Sequence, residues 1–176
     1  MTGSRDHSGS SKLIDVRITV NHQASCAQVE SRQHLADFLR QSLGLKGTRL
    51  GCEQGYCGSC TVDMNGEAVR ACLTLAVQAD GEDVTTIEAM SQDPVGQILQ
   101  DCFVTHHAMQ CGYCTAGMII SARALLLNNS SPSRDQVRKH LSGNYCRCTG
   151  YEAIVNAVMA ASAQLQMLPN GGSHDL

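Results

Sequence analysis

The amino-acid sequence predicts an α+β protein, with a small sheet and one helix over residues 12–90 and four helices over residues 91–167. Three observations carry that expectation. Residues 13–20 (LIDVRITV) alternate apolar and polar positions, an Asn65-Gly66 pair separates two short runs, and after Met90 the apolar spacing changes from two to three or four.

Residues 1–11 (MTGSRDHSGSS) are polar and rich in Ser and Gly, which predicts a flexible tail, and residues 168–176 predict another. Ile14, Val16, Ile18 and Val20 fall on one face of a first strand, which turns at Asn21-His22 into a second strand reaching Val29. Leu35, Phe38, Leu39 and Leu43 form one helical stripe over residues 31–43, and Gly44 ends it. Gly51 to Cys60 (GCEQGYCGSC) interleaves glycines with cysteines and reads as a loop folded tightly around something. Thr61–Met64 and Glu67–Cys72 flank the Asn-Gly turn as a hairpin, and Val84–Ile87 is a last short strand.

In the second half, Val95, Ile98, Leu99 and Cys102 mark one helix, and Met118, Ile119, Ala122, Leu125 and Leu126 mark another. Ser133-x-x-Gln136 is a capping box for a third, stopped at Gly143. Thr149-x-x-Glu152 is a capping box for a fourth, whose stripe is Tyr151, Ile154, Val155, Val158, Ala161 and Leu165.

The composition narrows the function. With 43% hydrophobic and 16% charged residues and a net charge of −3, the chain is neither a disordered tail nor a basic nucleic-acid binder. The N-terminus has no apolar core, twin arginine or cleavage site, and no stretch approaches 18 apolar residues. No secretory signal and no membrane span are expected, and a reducing, cytoplasmic setting is. Ten cysteines in such a setting point to metal rather than to disulfides.

Eight of the ten fall into two sets of four. Cys52, Cys57, Cys60 and Cys72 are spaced C-x4-C-x2-C-x11-C, and Cys111, Cys114, Cys146 and Cys148 are spaced C-x2-C-x31-C-x-C. The first pattern is that of a plant-type [2Fe–2S] site, with glycines exposing backbone N–H groups to sulfur. A zinc site more often pairs C-x2-C units. For the second pattern, spacing alone leaves a structural zinc open. One feature favours an anionic cluster: Cys114 directly precedes a helix starting near Thr115, and Cys148 directly precedes the capped helix at Thr149, so that two helix N-termini would face one site.

The remaining candidates are weighed against blander roles. Cys102 lies on an apolar stripe and Cys26 in a strand, which suits small hydrophobes. His106-His107 reads as a polar helix end rather than as a Rieske-type ligand pair, since all eight clustered thiols are already matched. Arg147 either donates to sulfur or forms a surface ion pair. No nucleophile–base pair, phosphate loop or hydrolase motif appears, and Gly55-x-x-Gly58 has no strand–turn–helix frame. Tyr56, Tyr113 and Tyr145 each precede a clustered Cys and Tyr151 follows one, which predicts aromatic shielding of the metal from water and poor folding without iron.

The segments GCEQGYCGSC, QCGYCTAGM and GNYCRCTGY together resemble the iron–sulfur subunit of molybdenum hydroxylases, the xanthine dehydrogenase family, in order and over residues 13 to 165. The resemblance implies a plant-ferredoxin-like β-grasp domain followed by a four-helix-bundle domain, each with one [2Fe–2S] cluster. It implies a large partner subunit with molybdopterin, in bacteria often the cytosine dinucleotide form, and in many members a medium subunit with FAD. Electrons from hydroxylation of an aromatic heterocycle or aldehyde would pass through the clusters to the flavin. The set with Cys111 would lie nearer molybdenum and the set with Cys52 nearer the flavin. Gln110 matches a glutamine that hydrogen-bonds the pterin, and Cys148 a ligand whose sulfur contacts the pterin amino group. Many members read CTPGM where this chain has Cys114-Thr115-Ala116-Gly117-Met118, a variant similar to N-heterocycle hydroxylases such as quinoline oxidoreductases. Two other readings stay in play: a free ferredoxin-like carrier, and a zinc-stabilised scaffold with no redox role.

Overall fold

β1 (Leu13–Val20) and β2 (Gln23–Glu30) pair antiparallel, with Val16 opposite Ala27 and Ile18 opposite Ser25. Asn21 and His22 between them both hold positive φ, the two-residue turn whose twist suits a hairpin. β3 (Thr61–Met64) and β4 (Glu67–Arg70) repeat the device around Asn65-Gly66. β5 (Asp83–Thr85) runs parallel to β1 and antiparallel to β3, giving a sheet of order β2-β1-β5-β3-β4. The computed structural model describes residues 13–168. The expected tails lie outside them, apart from Leu168, which caps the last helix.

The alternation in β1 buries Val16, Ile18 and Val20 as expected, while Ile14 stays exposed. The helix expected over 31–43 is shorter. α1 covers only Leu35–Asp37, with His34 Nδ1 accepting from the Asp37 amide at 3.0 Å, and the chain continues as a π-helical turn over Phe38–Ser42. Tertiary bonds override the periodicity. The Leu35 and Ala36 amides go to the carbonyls of Thr74 and Ala71, and Arg40 reaches the carbonyls of Lys46 and Thr48. The stripe still buries Leu35, Phe38 and Leu39. The strand expected over 84–87 stops at Thr85, because the Thr86 amide turns to the Asn21 side chain at 2.8 Å and Ile87–Ala89 is a 3₁₀ turn.

The second half holds α2 (Pro94–Thr105), α3 (Thr115–Asn128), α4 (Arg134–Leu141) and α5 (Glu152–Met167). Asp93 caps α2 through the Gly96 amide at 2.6 Å with Pro94 at the first position. Ser133 and Gln136 form the expected reciprocal box on α4. The box expected at Thr149 does not form, for a reason that lies in the site.

Two apolar clusters fill the interior. One gathers Val16, Ile18, Leu35, Phe38, Leu39, Val62 and Val84, and the other Leu99, Phe103, Met118, Ile120, Leu141, Ile154 and Val158. Each buries one of the two phenylalanines completely. α3 was expected to show one apolar face, yet it is buried nearly all round, because it packs on β3 and β4 as well as on α2 and α4. Its Arg123 crosses that junction, donating to Asp63 of β3 at 2.9 Å and to Asp93 at 2.7 Å.

Candidate metal centres

Cys60 directly precedes β3, and Cys72 lies two residues beyond β4, so both sit at the open end of one hairpin. The Ala71 amide donates to the Cys60 carbonyl at 3.2 Å and ties the two ends together. Cys52 and Cys57 belong to the preceding loop. The amides of Cys57 and Gln54 point at Cys52 Sγ, at 3.3 and 3.4 Å. Gly51 keeps this loop tight, since a Cβ there would stand 2.9 Å from Cys57 Sγ.

Cys111 and Cys114 lie in the turn before α3, with Cys114 at its N-cap position as expected. Cys146 and Cys148 lie in the loop before α5. Here the sequence misplaces the helix start. Thr149 donates its hydroxyl to Cys146 Sγ at 3.1 Å and its amide to the same sulfur at 3.4 Å, so it does not cap α5. Gly150 and Tyr151 then both take left-handed backbone, and the helix begins at Glu152. α5 therefore starts four residues beyond Cys148 and not directly after it. Tyr151 is the N-cap of α5 and packs against the same core as the stripe of Ile154, Val155 and Val158. Its phenol oxygen accepts from the Cys146 amide at 2.7 Å and pins the loop. The only sequence signal for that role is its place three residues beyond Cys148.

The thiols meet in pairs. Cys111 Sγ and Cys148 Sγ stand 3.5 Å apart, and the thiols of Cys52, Cys60 and Cys114 are perturbed by those of Cys57, Cys72 and Cys146. Among the described residues, no three His, Cys, Asp or Glu side chains converge on a single ion position. Paired thiols suit a dinuclear cluster, in which each iron takes two protein ligands. A cavity of about 150 Å³ opens between the thiols of the second set, lined also by Ser59, Tyr113, Tyr145 and Arg147.

The two sets are joined. The Tyr145 amide donates to the Cys57 carbonyl at 2.8 Å, one residue before Cys146. Gly58 and Gly117 make the close approach possible. A Cβ on Gly117 would stand 2.1 Å from the Gly58 carbonyl oxygen, and Gly58 itself holds φ +72.

The thiols differ in acidity. The Cys57 and Gln54 amides hold the Cys52 thiol down at about 7. Burial pushes Cys60 and Cys114 up to about 12. Burial also raises Cys146, but the Thr149 hydroxyl and amide outweigh it and the net shift is downward.

Gln110, Cys111 and Cys148 are exposed, as is Arg147 between the last two thiols. His106 caps α2 and His107 follows it, a helix end as expected. Cys102 is buried in the second core, while Cys26 is exposed on β2 and so is not a core residue. Of the tyrosines beside the thiols, Tyr113 and Tyr145 line the cavity of the second set, and Tyr151 is half-buried. Tyr56, Tyr113 and Tyr145 are exposed by 65, 42 and 56%. Tyr113 also braces the turn, donating to the Leu50 carbonyl at 2.7 Å beneath the Arg49 guanidinium.

A sheet that carries four thiols and a helical unit that carries four more, both laid out in pairs, define a [2Fe–2S] protein. Two family models agree: a 2Fe-2S iron-sulfur cluster binding domain matches residues 16–111, and a [2Fe-2S] binding domain matches residues 86–159. The chain belongs to the iron–sulfur small subunits of the molybdenum hydroxylases, the xanthine dehydrogenase family, and is a subunit of an oxidoreductase. The nicotine 6-hydroxylase small subunit of Paenarthrobacter nicotinovorans is 48% identical over 155 residues, 88% of this chain and 93% of that one. The structure of quinoline 2-oxidoreductase from Pseudomonas putida 86 matches with a TM-score of 0.83 and 52% identity, over 87% of this chain and 96% of that one. Aldehyde oxidoreductase from Desulfovibrio gigas matches with a TM-score of 0.78 and 43% identity, over 87% of this chain but 17% of that longer one. No helix among the described residues is long and apolar enough to cross a membrane.

Proposed function

We propose that the chain holds two [2Fe–2S] clusters, one on Cys52, Cys57, Cys60 and Cys72 and one on Cys111, Cys114, Cys146 and Cys148. They relay electrons from a molybdopterin centre on a large partner subunit to FAD on a medium one. Residues 12–90 form the ferredoxin-like domain and residues 91–167 the helical bundle. The single observation that carries the reading is the pairing of the eight thiols, two pairs in each set.

When bound, each cluster supplies a one-electron acceptor. The protein's own groups do the rest. The amides of Gln54 and Cys57 and the hydroxyl of Thr149 donate to sulfur and favour its negative charge. The hairpin and α3 hold the two sets at fixed separation, and the Tyr145–Cys57 bond links them. Exposure of Gln110, Cys111 and Cys148 on one rim suits docking of the molybdopterin subunit there, with the Gln110 amide both donating and accepting at the pterin edge. The relatives named for nicotine and quinoline support an aromatic N-heterocycle as the substrate class, ahead of an aldehyde. The proposed setting is the cytoplasm.

The test is purification of the native complex. Expected are a red-brown protein bleached by dithionite and by an N-heterocyclic substrate, and co-purifying chains that carry molybdopterin and FAD. A colourless protein with zinc at both sets, or a chain that is fully active as a monomer, overturns the proposal.

A further inference from the structure

One guanidinium bridges the segments that lead out of the first cysteine set and into the second. Arg70 ends β4, two residues before Cys72. Its Nη1 donates to Thr61 Oγ1, on the residue after Cys60. Its Nη2 donates to the Gly143 carbonyl at 2.9 Å and approaches Asn144 Oδ1 at 3.4 Å, in the segment that leads into Cys146. Asn144 completes the clamp. It is 2% exposed, donates to the Gly58 carbonyl at 3.1 Å and accepts from Ser121 Oγ at 2.9 Å. Gly143 leaves room for the cation, since a Cβ there would stand 2.9 Å from Arg70 Nη2.

The chemistry follows from charge. A cluster on four thiolates carries net negative charge that grows by one on reduction, and net charge and hydrogen bonding set its potential. An arginine stays charged at any working pH, and its planar fork can fix two loops at once. In a half-buried junction its field is screened less than on an open surface. A cation fixed to the segments of two such clusters therefore favours the added electron on either one.

We propose that Arg70 is a positioning residue shared by both clusters: its fork holds the Thr61 and Gly143 segments together, and its fixed charge raises both reduction potentials. The proposal rests on the two-cluster reading above. The aim is to separate charge from mere bracing, so Arg70→Gln and Arg70→Lys are compared with the native complex by redox titration of the two paramagnetic signals, with iron counted in each. In Arg70→Gln both potentials fall together while both signals and the iron content remain, and in Arg70→Lys they stay near the native values. Unchanged potentials in Arg70→Gln, or an equal fall in both variants, overturns the proposal. If Arg70→Gln fails to assemble its clusters, Gly143→Ala decides, because its methyl group displaces the guanidinium without touching a thiol. A joint fall supports the role of Arg70, and unchanged potentials overturn it. A native chain without two [2Fe–2S] signals overturns the two-cluster reading instead.

Discussion

The backbone amide of Tyr145 donates to the backbone carbonyl of Cys57 at 2.8 Å. One hydrogen bond thus connects a residue of the first thiol set to the neighbour of Cys146 in the second. The Tyr145 ring is exposed, so its contribution is through the backbone. Tyr145→Ala should change stability by no more than about 0.5 kcal/mol, as measured by chemical unfolding of the loaded chain. Tyr145→Pro removes the N–H and should slow electron equilibration between the clusters while both signals persist in rapid-freeze paramagnetic resonance. Equal equilibration rates in the two variants would remove this bond from the relay.

Thr149 offers a selective handle on the second set. Thr149→Val deletes the hydroxyl donated to Cys146 Sγ at 3.1 Å but keeps the amide donor. A hydrogen bond worth about 0.5–1.5 kcal/mol corresponds to about 20–65 mV for one electron. The potential of the second cluster should fall by up to that amount, and the first should not move. A shift in the first cluster instead would exchange the assignment of the two signals.

In the metal-free chain the thiols should titrate far apart. Cys52, held near 7, should be half-ionised near neutral pH and alkylate fast there, while Cys60 and Cys114, near 12, should alkylate slowly at pH 8. The signs for stability are opposite. The lowered Cys52 value stabilises the folded chain above pH 9, and that gain is lost as pH falls through about 7. The raised values of Cys60 and Cys114 cost stability as pH rises from 9 towards 12, because the unfolded chain releases those protons first. Mass-resolved alkylation across pH checks the order, and uniform reactivity would refute it.

Arg123 joins the two halves through Asp63 and Asp93, whose side chains are mostly buried. Burial raises the Asp93 carboxyl, but Arg123 and the Gly96 amide more than reverse it, so it lies below its ordinary 3.8. That stabilisation is present above pH 3.8 and is lost as pH falls through the lowered value. Arg123→Ala leaves two carboxylates facing each other and should cost about 3–5 kcal/mol at pH 7 by urea unfolding. A loss under 1 kcal/mol would mean that the junction does not depend on this triad.

The 2Fe-2S family was legible in the sequence, because ligand spacing is a local property of loops. So were the Asn21-His22 turn of β1–β2, the Asn65-Gly66 turn of β3–β4 and the Ser133–Gln136 box, which depend on a few adjacent residues. What escaped depends on distant partners. The helix over 31–43 was cut short by carbonyls of the 71–74 turn. Thr149 has the residue type of a helix cap, but a sulfur three residues back took its hydroxyl. The roles of Arg70 and Asn144 carried no sequence signal, since their partners lie in other segments, and the pattern that marked Tyr151 did not show its bond to the Cys146 amide in a loop folded back on itself. The tyrosines before the cysteines were visible, but their exposure was not.

The central claim is that one chain carries two separate [2Fe–2S] clusters on the two thiol sets. It is tested most directly by paramagnetic resonance of the dithionite-reduced native protein beside its Cys72→Ser and Cys146→Ser variants. Two distinguishable signals are expected in the native protein, with Cys72→Ser altering one and Cys146→Ser altering the other. A single signal in the native protein, or the same signal altered by both substitutions, would contradict the account.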